Sequence, residues 1–218
     1  MIVKNSLVEQ VCSYIIEGIQ SREFKPGDRL IIEDLSKKLG ISRTPIREAI
    51  GNLAQFGYVD IQHNVGPRIV NYSKSQIHDL NETNEILFNS VLKKVLEKTD
   101  VEPLVLELKR IVNMQENALI KNDDERYRKS SVEFHEALIK ACPNEKLRQI
   151  TLQTQNQINI FILWYFQDKK IKKTSVQEHK YLLSLIENKK YDEFIVEFER
   201  HNNKAIEYFD NKYEEIVL

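Results

Sequence analysis

Glycine is scarce in this chain and runs out early: there are 6 in 218 residues, and none follows Gly66. Glycine is the residue that turns with positive φ call for, so its absence excludes a meander of tight hairpins and suits a compact all-helical domain over the rest of the chain. Cysteine is scarcer, with Cys12 and Cys142 far apart and at no paired spacing. That excludes a disulfide framework and fits reduced thiols in a cytoplasmic protein. An excess of one charge is missing too, with 32 Lys/Arg against 33 Asp/Glu and a net charge of −1. Residues 1–75 hold ten basic and eight acidic residues, so any phosphate binding there must come from local placement rather than bulk charge. Long apolar runs are absent as well. The longest lies near Ile158 to Phe166, far short of a membrane span, and no secretory apolar segment follows Met1. A cytoplasmic protein with no membrane partner is expected. The 41% hydrophobic content is enough for an ordinary core, and the length allows one large domain or two small ones.

What is present is most informative at Gly40-Ile41-Ser42-Arg43-Thr44-Pro45-Ile46-Arg47-Glu48-Ala49-Ile50. This stretch reads as the turn and second helix of a helix-turn-helix. Thr44 is an N-cap residue type, and Pro45 after it would sit at the first helical position, where its missing N–H costs nothing. Ile46, Ala49, Ile50 and Leu53 follow at spacings of three and four and make one buried stripe. Arg43 and Arg47 fall near the helix start and off that stripe. Two guanidiniums and a hydroxyl at the N-terminal end of a helix suit the major groove, where Arg reads guanine O6 and N7 with both arms.

Around this stretch the periodicity predicts a helix over about 6–21 and another over about 33–39 that Gly40 ends. Tyr58–Ile61 and Arg68–Asn71 alternate like strands, with a turn-rich tip at 62–67 between them. Three helices followed by a two-stranded ribbon make a winged helix. From Ser75 on, the period is helical, with segments at about 75–98, 101–121, 124–142, 144–168, 175–188 and 191–214. Asp100 marks one helix start, and Ser175-Val176-Gln177-Glu178 has capping-box spacing. The predicted fold is mainly α: an N-terminal winged helix-turn-helix over 1–73 (α plus a small β wing), then an all-α helical-bundle effector domain over 74–218.

Residues 15–71 resemble the winged-helix domain of GntR-family transcription regulators. The resemblance is carried by Ile16-Glu17-Gly18, Pro26-Gly27-Asp28-Arg29-Leu30, Glu33-Asp34-Leu35-Ser36 and the string from Ser42 to Ile50. The later part is similar to the helical ligand domain of the FadR-type subfamily, the FCD domain, through Phe134-His135-Glu136-Ala137-Leu138 with Asn144, Glu178-His179, and His201. The resemblance implies a dimeric, ligand-responsive regulator that binds double-stranded DNA at an inverted-repeat operator, as a repressor. DNA contacts map onto Ser42, Arg43, Thr44 and Arg47 of the recognition helix. His63, Asn64 and Gly66 of the wing tip would enter the minor groove, with Arg29 as a further contact. Asn64 and Val65 stand where relatives often carry a glycine or a basic residue.

The histidines of the helical part pair by spacing. His179 lies about ten residues before the break at Asn188-Lys189-Lys190 and His201 about eleven after it, so each is about 15–17 Å from the turn. In an antiparallel hairpin the two imidazoles come level. His135 comes from a third helix, and the family match at all three implies a site for a divalent transition metal such as zinc or nickel. Metal-binding relatives carry an aspartate four residues before the first histidine; here Ser131 stands there, which weakens the site. Relatives that bind organic acids often place Arg and Glu on the first helix of this domain, where Asn84 and Phe88 stand here. With Ser131 they form the predicted ligand pocket, which points to a less acidic, more apolar effector. Large apolar side chains at Ile158, Ile160, Phe161, Ile162, Trp164 and Tyr165 read as core or dimer contact. A metal-dependent enzyme using the three histidines is the rival reading. It lacks a paired carboxylate or a nucleophile and base at recognisable spacing, so no enzymatic activity is expected. A helical domain that only dimerises is the third reading.

Overall fold

The computed structural model describes residues 6–21, 23–62, 65–97, 100–165 and 169–217, without the side chains at 20, 62, 161–165 and 212–217. His63 and Asn64, two of the expected wing contacts, lie outside the described residues. So do the side chains of Phe161, Ile162, Trp164 and Tyr165. The fold is mainly α, with nine helices and one two-stranded sheet among the described residues. The chain divides into two compact units, Met1–Gln76 and Ile77–Ile216.

The first unit is a winged helix. Helix α1 (Leu7–Gln20) opens on a capping box: Glu9 N–H donates to Ser6 Oγ (3.2 Å), and Ser6 N–H donates to Glu9 Oε2 (2.8 Å). Val11, Ile15 and Ile19, four apart, are buried, and α1 packs on α3 (Arg43–Gln55). Helix α2 (Ile32–Leu39) ends at Gly40, whose φ of +66° is left-handed backbone that favours glycine. Ser36 Oγ donates to Ile41 O (2.7 Å) and fixes the turn. On α3, Ile46, Ala49, Ile50 and Leu53 are buried.

The N-cap position of α3 is Ser42, so Thr44 is the second helical residue and Pro45 the third. This corrects the expectation of a Thr44 cap. Proline is tolerated through the first turn because every amide there lacks an intrahelical partner, so Pro45 did not fix the start. The ribbon pairs β1 (Val59–Gln62) with β2 (Gly66–Ile69), antiparallel, with Val59 opposite Ile69 and Gln62 opposite Gly66. The turn at 27–30 is sewn to its outer edge by Gly27 N–H to Ile69 O, Ile69 N–H to Asp28 O and Leu30 N–H to Pro67 O, at 2.9–3.0 Å.

The second unit is all helical: α4 (Lys74–Leu96), α5 (Glu102–Lys121), α6 (Asp124–Lys140), α7 (Glu145–Tyr165), α8 (Lys169–Glu187) and α9 (Tyr191–Val217). Asn122, with φ of +53°, turns α5 into α6, and Asp123 caps α6 by accepting from Arg126 N–H (3.1 Å). The main core of the unit is built from Phe88, Leu92, Leu108, Phe134, Leu138 and Phe198 among others, and a smaller cluster joins Ala118, Tyr127 and Val176.

Helix α8 starts at Lys169 rather than at Ser175. Ser175 is a buried mid-helix residue whose hydroxyl has no partner, so the expected capping box is not there. The extra turns are held from α6: Lys172, buried, pairs with Asp124 (2.6 Å), and its carbonyl accepts from Tyr127 Oη (2.9 Å).

Candidate nucleic-acid interface and metal centre

On the first unit, Ser42, Arg43, Thr44 and Arg47 are all exposed at the N-terminal end of α3, while Ile46 and Ala49 face inward. Arg47 has no hydrogen bond or ion pair among the described residues. Arg43 reaches Glu33 (3.3 Å) with both side chains more than half exposed, and such a surface pair contributes at most about 1 kcal/mol. Arg29 is exposed and lies beside the wing: a Cβ built on Gly66 would sit 3.7 Å from Arg29 Nη2. Gly66 itself has a φ of +91°. Arg68 instead turns back, donating from Nη1 to Gly27 O (2.8 Å). It joins wing to turn.

In the second unit, His135 of α6, His179 of α8 and His201 of α9 come together. Their ligand atoms lie within 4.8 Å of one another. His179 Nε2 is 3.2 Å from His201 Nε2, which is 3.3 Å from His135 Nε2. The far nitrogens of two rings are committed: His179 Nδ1 meets Gln115 Oε1 (2.8 Å) and His201 Nδ1 meets Glu178 Oε2 (2.7 Å). Both partners are acceptors, so both Nδ1 atoms carry a proton. The two Nε2 atoms then face each other across 3.2 Å, a separation that a shared proton or a positive ion between them would hold. This donor set fits a cation, and the outward Nδ1–H bonds to an amide and a carboxylate are what orient imidazole ligands.

Burial, and after it the neighbouring His201, hold His135 well below the ordinary histidine value. The same burial, with His201 and His135 beside it, does this to His179. Neutral imidazole is the form that binds metal. Burial pushes Glu178 up, but hydrogen bonds from His201 and Lys204 outweigh it and leave the carboxyl below its usual range. Phe134 stacks on His179, with centroids 4.0 Å apart and the planes 9° from parallel.

Ser131 is buried one turn before His135 on the same stripe of α6. Phe88 is buried against Phe198 (4.6 Å) and edge-on to His135 (6.3 Å), as an apolar wall. Asn84, one turn earlier on α4, donates to Gln155 Oε1 (3.1 Å), and Gln155 Nε2 donates to Asn159 Oδ1 (3.0 Å). Asn84 Oδ1, Asn159 Nδ2 and Gln115 Nε2 are buried without partners. Gln115, Glu178, Gln155 and Asn159 were missed in the sequence. Glu178 precedes a histidine and could have been suspected, whereas Gln115 is 64 residues from the ring it orients and gives no local signal.

An exposed helix bearing Arg43 and Arg47 on a wing-bearing head, followed by an all-helical domain with a histidine cluster, defines a winged helix-turn-helix protein with an appended helical domain. The sequence comparisons narrow this. Residues 7–69 match the bacterial regulatory proteins of the gntR family, and residues 95–202 match the FCD domain. The chain belongs to the GntR family and carries an FCD domain. GntR-family regulators bind DNA and small-molecule effectors, and FCD domains of this family can bind metals. The chain is 25% identical over 149 residues to the gluconate operon transcriptional repressor of Bacillus subtilis, covering 68% of this chain and 59% of that protein. It is 28% identical over 176 residues to the HTH-type transcriptional regulator LutR of the same organism, covering 72% of this chain and 78% of that one. Among solved structures it is similar in fold to E. coli McbR/YncC, with a TM-score of 0.80 at 19% identity over 96% of this chain and 100% of that one. No helix among the described residues is long and apolar enough to cross a membrane.

Proposed function

We propose that this protein is a cytoplasmic, ligand-responsive transcription regulator, a repressor, that binds an inverted-repeat operator as a homodimer. The observation that carries this reading is the exposed run Ser42, Arg43, Thr44 and Arg47 at the start of α3, with Arg47 unpaired among the described residues. Arg47 reads a base edge, Arg43 leaves its weak pair with Glu33 for DNA, and Arg29 with Gly66 and the wing tip at His63 and Asn64 takes the adjacent backbone and minor groove. One such head has too small an interface for tight specific binding, hence the dimer.

The helical domain, over 74–218, binds the effector beside the histidines. Asn84, Phe88 and Ser131 line that pocket, and its buried unpartnered amides are supplied with partners by the ligand. His135, His179 and His201 hold a divalent transition metal through Nε2. The ion supplies a positive centre between the three rings and an open position for an effector donor atom. The enzyme reading fares worse on the same residues: Glu178 is the carboxylate at the cluster, and His201 and Lys204 already occupy it.

The test is selection of bound duplexes from a random pool, with and without metabolite pools, followed by Arg47→Ala on the selected operator. A bidentate Arg–guanine contact is worth about 1–3 kcal/mol, so the variant loses about 5- to 150-fold on the operator and far less on random DNA. Equal losses on both reassign Arg47 to phosphate, and no preferred duplex at modest salt removes the reading.

A further inference from the structure

Two features of the head would ordinarily draw phosphate. One is the start of α2, where the N-cap position is Ile31 and no side chain bonds the free amides of the first turn. Such an end carries the positive pole of the helix. The other is Arg43, exposed at the first position of α3. Both meet one carboxylate. Glu33 stands in the first turn of α2, and its Oε1 lies 3.3 Å from Arg43 Nη2 and 3.7 Å from Lys37 Nζ. All three side chains are more than half exposed. The head is nearly balanced, with ten basic against eight acidic residues over 1–75, so one carboxylate at its DNA-facing end is a large share of the local charge.

A carboxylate at a DNA interface either accepts from a cytosine amino group or opposes phosphate. The geometry favours the second. The first helix of a helix-turn-helix crosses the backbone rather than entering the groove, and Glu33 belongs to that helix. Its Oε1 also already faces two cations, Arg43 and Lys37, that would otherwise be free for phosphate.

We propose that Glu33 restrains DNA binding: it holds Arg43 off phosphate and lowers the affinity of the head for every duplex, so that base contact by Arg47 decides where the protein stays. This rests on the DNA-binding reading above. Phosphate contacts carry no sequence information, so the restraint acts alike on operator and random DNA.

The test is binding of the full chain to a selected operator duplex and to a random duplex, each over a salt series. Glu33→Gln tightens both by about three- to fivefold at low salt, the worth of a good surface pair, and leaves their ratio unchanged. It also steepens the fall of affinity with salt, because one more phosphate charge is neutralised. Asp34→Asn removes the same charge one residue along, where no ion pair is made among the described residues, and gains less. With Arg43→Ala already in place, Glu33→Gln gains less than about twofold, as coupled partners require. The proposal is overturned if Glu33→Gln leaves affinity unchanged, if it weakens operator binding with the circular dichroism intact, or if only one duplex gains. It is overturned as well if Asp34→Asn gains as much, or if the gain persists in full without Arg43. Failure of the DNA-binding reading is a separate result, seen as an unsubstituted chain that prefers no duplex.

Discussion

If the histidine cluster holds a cation as proposed, Ser131 sets how strongly. It is buried one turn before His135, and a hydroxyl there contributes no charge, where a carboxylate would add a negatively charged oxygen ligand. Ser131→Asp is therefore expected to tighten zinc or nickel binding by about tenfold or more, in line with what ligand-shell changes do to metal affinity. Competition with a chromophoric chelator measures it, and unchanged or weaker affinity would show that position 131 does not face the ion. His179→Ala removes the ring at the centre of the Gln115–His179–His201 chain and abolishes binding in the same assay.

The elements were readable wherever apolar residues recur at helical spacing. Val11, Ile15 and Ile19, and then Ile46, Ala49, Ile50 and Leu53, are buried as their spacing requires. The misses share a cause, which is that the stabilising partner is remote in sequence. The first turns of α8 are lysine-rich and carry little apolar pattern, and they are helical because Asp124 and Tyr127 of α6 hold Lys172. The start of α3 slipped by two residues because Ser42 and Thr44 are both plausible caps and Pro45 is tolerated after either. Two glycines test the head element by element. A Cβ at Gly40 meets nothing within 4 Å, so Gly40→Ala costs only the strain of left-handed backbone, about 1 kcal/mol. A Cβ at Gly18 would lie 2.4 Å from Phe24 Cδ2, so Gly18→Ala drives that ring off Tyr14 and costs more than Gly40→Ala. Urea unfolding of the two variants ranks them, and the reverse order would contradict this packing.

At the scale of the molecule, metal bound as proposed would be linked to stability. A ligand that binds only the folded state at one hundred times its Kd adds about 2.7 kcal/mol. For a chain of this size that raises Tm by about 5–10 °C, since 1 kcal/mol moves it about 2–4 °C. Nickel or zinc should produce that rise in a thermal scan, a chelator should reverse it, and His179→Ala should show neither. A flat response in the wild-type chain would argue that the three rings serve packing alone.

The three imidazoles belong to separate helices, and His201 lies 22 residues from His179 and 66 from His135 along the chain. An ion held there, as proposed, would be a reversible staple, closing two long loops much as a disulfide would, in a chain whose two cysteines are free. Its strength would be set by metal supply rather than by redox state, so the rigidity of the helical half would become a variable that the surroundings control.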